Sequence, residues 1–130
     1  MHDALADFLD EQPDLVLGIL FGSVNRGTER WESDVDVGVM ADAPLSAERK
    51  KALIEALALR FGRPVDLVDL QTARGVLLHQ ILSTGTLVYA PDRTYYAELM
   101  KRHVFDQADF MPYYNRLLAA RRRRWLDDDA

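Results

Sequence analysis

The chain has 130 residues, 48% of them hydrophobic and 28% charged, which is the balance of a soluble globular protein and excludes a disordered segment. That length fits one domain, taken as residues 1–130, because two cores would leave too little apolar surface for each. A formal net charge of -5 argues against a phosphate-neutralising surface and hence against direct nucleic-acid binding, and zero cysteines remove disulfides, thiolate metal sites and cysteine nucleophiles together.

Residues 3–10, "DALADFLD", place Leu5, Phe8 and Leu9 on one face of a short amphipathic helix that Pro13 ends. The start carries His2 and Asp3 where a signal peptide would carry positive charge, and no apolar run reaches the ~18 residues of a membrane span, so a cytoplasmic, membrane-free protein is expected. "LVLGILF", 15–21, is a continuous apolar run and predicts a buried strand delivering the chain to Gly22. "DVDVGVM", 34–40, predicts a second strand whose alternation sends Asp34 and Asp36 to one face and Val35 and Val37 to the other.

A helix is expected over 46–62, with Ser46 as N-cap and Gly62 as C-terminal stop. Pro64 then opens a third strand, "VDLVDL", on which Asp66 and Asp69 are three residues apart and must face opposite sides. A helix over 72–85 and a short edge strand, "TLVYA", ended by Pro91, follow. From Arg93 to Leu126 the pattern is helical, with a break near Pro112, and one member of each tyrosine pair, Tyr95–Tyr96 and Tyr113–Tyr114, is expected to pack. His79 and His103 read as packing or surface residues within helices. The sum is an α+β domain, α/β-like, with a small mixed sheet flanked by helices and a C-terminal helical extension.

Chemistry is concentrated between Gly22 and Asp36, "GSVNRGTERWESDVD". A glycine after a buried strand lets backbone approach a ligand closely, and free N–H groups at a helix start suit triphosphate oxygens, with the Ser23 hydroxyl beside them. Asp34 and Asp36 are hard oxygen donors of the kind that hold Mg²⁺, and a third carboxylate to complete the cage comes from Asp66 or Asp69. Asp66 follows its strand start as Asp34 does, and is chosen on that ground, while Asp69 reads as a loop or helix-capping residue. Arg26 is a candidate triphosphate contact, and the arginine run 121–124 beside three aspartates is read as a solvated helix end.

Gly-Ser, ten residues and Asp-x-Asp, with Arg26-Gly27 after the first pair and Ser33 before Asp34, resemble the DNA polymerase beta nucleotidyltransferase superfamily and its minimal nucleotidyltransferase (MNT) branch. The motif resemblance covers about 15–70. It implies ATP as substrate, two Mg²⁺ ions held by Asp34, Asp36 and Asp66, and attack of a hydroxyl on the α-phosphate with release of pyrophosphate. Small stand-alone domains of this type resemble the antitoxins of HEPN/MNT pairs, which implies a HEPN ribonuclease toxin as partner and its tyrosine as AMP acceptor. A small-molecule nucleotidyltransferase of the aminoglycoside kind and an antitoxin acting by binding alone are the competing expectations.

Overall fold

The computed structural model describes residues 1–22 and 34–106. Helix α1, His2–Asp10, buries Leu5, Phe8 and Leu9, the stripe that its periodicity predicts. Strands β1, Leu15–Phe21, and β2, Val35–Ala41, follow, then helix α2, Ala47–Phe61. The bounds of α2 have local causes. The Ser46 hydroxyl accepts from the Arg49 amide at 3.1 Å, and Gly62 closes the helix at φ 65°, a conformation open to glycine at no steric cost. Strand β3, Val65–Asp69, helix α3, Gly75–Thr84, strand β4, Thr86–Tyr89, and a helix α4 described over 93–106 complete the order.

The sheet runs β3-β2-β1-β4 and is mixed, as expected: β1 lies antiparallel to β2 and to β4, while β2 and β3 are parallel. β4 is an edge strand, as its length predicts. Helices cover both faces. On one, Leu5, Phe8 and Leu9 of α1 and Leu53 and Leu57 of α2 pack on Leu20, Val35, Val37, Val39 and Leu67. On the other, Leu78 and Ile81 of α3 and Leu99 of α4 pack on Leu17, Ile19, Phe21 and Met40. β1 and β2 are buried on both sides, which is why they read as apolar runs.

Two expectations are corrected, and one feature of β1 was not anticipated. A register shift between Leu15 and Leu17 puts Leu15 in the core under α1 and α2 and Leu17 in the other, a bulge that an unbroken apolar run does not signal. Helix α3 starts at Gly75 and not at Thr72, because Thr72 and Ala73 turn back to hydrogen-bond the Asp69 carbonyl. Tyr95 and Tyr96 both pack, half-buried, against the α3–α4 core instead of one alone. Pro112, the second tyrosine pair and the arginine run lie outside the described residues.

Candidate active site

β2 and β3 run parallel from the same end of the sheet, and their register sets Asp36 directly beside Asp66. Residues opposite one another on neighbouring strands point to the same face, and those strands lie ~4.8 Å apart, so the two carboxylates emerge from the sheet side by side. Their face is the one shared by Phe21 and Met40, covered further along by α3 and α4. Asp66 is exposed, and Asp36 is half-buried between Asp66 and Phe21, its partner in β1.

Gly22 follows β1 at φ 77°, a backbone conformation that side chains other than glycine rarely adopt. A Cβ at this position would collide with the Asp36 carboxylate. Sequence reasoning assigned Gly22 to a close approach of phosphate. Its packing against Asp36 was missed, and its signal, a glycine ending a strand opposite a future carboxylate, becomes legible only once the β1–β2 register is known.

Asp34 is placed differently from expectation. Pairing with β3 opens at Val35, whose amide donates to the Pro64 carbonyl at 2.9 Å, so Asp34 lies one residue outside β2 and is exposed. Across the strands the carboxylates in register are Asp36 and Asp66, with Asp34 two residues before Asp36 at the start of β2. Among the described residues no three His, Cys, Asp or Glu side chains gather closely enough to hold a metal ion. The donor chemistry suits Mg²⁺ all the same: adjacent carboxylates supply hard oxygen, and the absent side chain of Gly22 is what gives the Asp36 carboxylate its place. Ser23 and Arg26, the other expected nucleotide contacts, lie outside the described residues.

Asp69, three residues along β3, is occupied in another way. It pairs in register with Val39, and its Oδ2 accepts from the Leu45 amide and its Oδ1 from the Gln71 amide, both at 2.9 Å. It ties the loop entering α2 to the turn leaving β3. An open groove lined by Glu55, Leu59, Gly62 and Arg63 lies along α2, across the sheet from Asp36, and shares no residue with the carboxylate pair. No helix among the described residues is long and apolar enough to cross a membrane.

Residues 3–94 match the family model described as Polymerase beta, Nucleotidyltransferase. The protein adenylyltransferase MntA of Shewanella oneidensis is 40% identical over 76 residues, 58% of this chain and 55% of the relative; the match thus spans little more than half that relative's length. A toxin–antitoxin crystal structure with AMP-PNP superposes with a TM-score of 0.69 at 28% identity, covering 99% of this chain and 98% of the other. The MNT antitoxin complex with a tri-AMPylated HEPN toxin of Shewanella oneidensis gives a TM-score of 0.62 at 27% identity, covering 99% of this chain and 96% of the other.

Proposed function

The chain belongs to the polymerase beta nucleotidyltransferase family, and we propose that it is an antitoxin that transfers AMP from ATP to a tyrosine hydroxyl of a cognate HEPN ribonuclease toxin, silencing it. The observation that carries this reading is the register of Asp36 beside Asp66, with Gly22 leaving room against Asp36, at the end of the sheet where β1 delivers the Gly-Ser motif. The choice of acceptor is supported by the relative named a protein adenylyltransferase and by the similar antitoxin found with an AMPylated HEPN toxin.

In this scheme the tyrosine oxygen attacks the α-phosphorus in line, the new P–O bond forms, and the bond to the β-phosphate oxygen breaks to release pyrophosphate. Asp66 accepts the tyrosine proton. Gly22, Ser23 and Arg26 hold the triphosphate, and Asp36 keeps its carboxylate facing the reacting end because nothing larger than hydrogen stands at Gly22. Asp34, Asp36 and Asp66 would hold Mg²⁺, which supplies neutralisation of the phosphate charge. Positioning and charge stabilisation carry most of such a reaction. An open site is completed by the protein that brings the tyrosine, and the whole of 1–130 acts as one domain in the cytoplasm.

The test is to incubate the purified chain with the HEPN protein encoded beside it, ATP and Mg²⁺, and to measure the partner's intact mass and ribonuclease activity. The expected result is a partner heavier by one or more AMP groups and inactive. An unmodified but inhibited partner would replace transfer with inhibition by contact; an unmodified, active partner alongside adenylylation of an aminoglycoside would move the acceptor to a small molecule.

A further inference from the structure

Helix α4 meets α3 through a pair of histidines. The rings of His79 and His103 stack with centroids 5.2 Å apart and planes inclined by 25°. His103 is 9% exposed, the one buried polar side chain among the described residues, and its Nδ1 has no hydrogen-bond partner. His79, on α3, is exposed. One turn further along the seam, Asp106 accepts from the Gly75 amide at 3.3 Å and from Arg74 at 3.5 Å, and Arg102 donates to the Leu70 and Ala73 carbonyls. Among the described residues, the charged and titratable groups meeting here include His79 from α3, Arg74 from the turn before it, and Arg102 and Asp106 from α4 itself. The Asp106 carboxylate is already engaged by Arg74 and the start of α3.

Two neutral imidazoles stack as flat, weakly polar rings. A proton on either sets a cation against a ring, and a proton on both sets two cations side by side in a partly desolvated seam, where their repulsion is stronger than in water. We propose that the His79–His103 stack makes the docking of α4 on α3 pH-sensitive, firm while the buried His103 ring is neutral and loosened when that ring takes up a proton against its stacked neighbour. Burial, and then the neighbouring His79, hold the His103 pKa below its ordinary value against the upward pull of Asp106. The sign follows. A histidine depressed in the folded state leaves stability intact above its unfolded pKa of about 6.5, and that stability falls as pH drops from there through the folded value.

The experiment is hydrogen exchange of the full chain at about pH 7.5 and pH 5.5, corrected for intrinsic rates, comparing amides in 93–106 with those of β1 and β2. We expect exchange over 93–106 to rise several-fold at the lower pH with little change in β1 and β2. His79→Gln, at an exposed position, replaces the stacked imidazole with a side chain that cannot be protonated, and is expected to reduce that rise. Equal protection of 93–106 at both pH values, or a His79→Gln protein that loosens as much as the wild type, overturns the proposal.

Discussion

The two ends of β3 carry the same side chain and put it to opposite uses. At the start of the strand Asp66 stands exposed beside Asp36. At its end Asp69 spends both oxygens on the amides of Leu45 and Gln71, while Gln71 donates to the Ala41 carbonyl at 2.8 Å and Arg102 braces Leu70 and Ala73. A carboxylate saturated by backbone amides is held in place and made useful to the fold, whereas one left beside a second carboxylate is available to cations and protons. Residue type does not separate the two; partners do.

The contrast breaks most readily at Asp36. Asp36→Asn keeps the side-chain volume and removes the charge, so AMP transfer to the HEPN partner should fall at least about a hundredfold, the scale of losing one preorganised charge-stabilising group, with the melting temperature little changed. A labelled-ATP transfer assay beside a thermal melt reads both. Gly22→Ala should do less to transfer but harm both readouts, because the new Cβ meets the Asp36 carboxylate and the positive φ costs roughly 1–2 kcal/mol for alanine. An alanine variant with full stability and full transfer would show that Asp36 does not need this gap.

At the other end, Arg102→Leu should lower stability by about 1.5–3 kcal/mol, the worth of hydrogen bonds to a charged group, and leave transfer by the folded protein near wild type. Denaturant unfolding measures the first and initial transfer rates the second. The smallest effect is expected from Arg49, which joins α2 to the turn before β1 through Asp14 at 2.7 Å. Both side chains are about a third exposed, so Arg49→Ala should cost no more than ~1 kcal/mol after solvent screening. The hydrogen bond from Arg49 holds the Asp14 carboxyl below its ordinary pKa. Its contribution is therefore present above the unfolded pKa of about 3.9 and lost as pH falls through the folded value, so the wild type and Arg49→Ala should converge in stability in strong acid.

Most elements were legible because their signals are local. Ser46 and Gly62 mark α2, the Leu5–Phe8–Leu9 spacing marks α1, and strand alternation separates Asp66 from Asp69. What escaped depends on non-local pairing. The bulge after Leu15, the placing of Asp34 outside β2, the contact of Gly22 with Asp36 and the stacking of His79 on His103 are set by which strand or helix lies alongside, and no window of sequence contains both partners. The start of α3 escaped for a nearer reason. Thr72 has the look of a helix cap, yet its hydroxyl is drawn back to the Asp69 carbonyl, and the helix waits until Gly75.

The division of β3 into a reacting end and a structural end is tested most directly by making Asp66→Asn and Asp69→Asn and measuring AMP transfer to the HEPN partner and thermal stability for each. The account predicts that Asp66→Asn abolishes transfer and melts like the wild type, while Asp69→Asn melts earlier and still transfers below its melting point. Loss of transfer on replacing Asp69, with Asp66→Asn active, would contradict it and place the reacting carboxylate on the other face of the sheet.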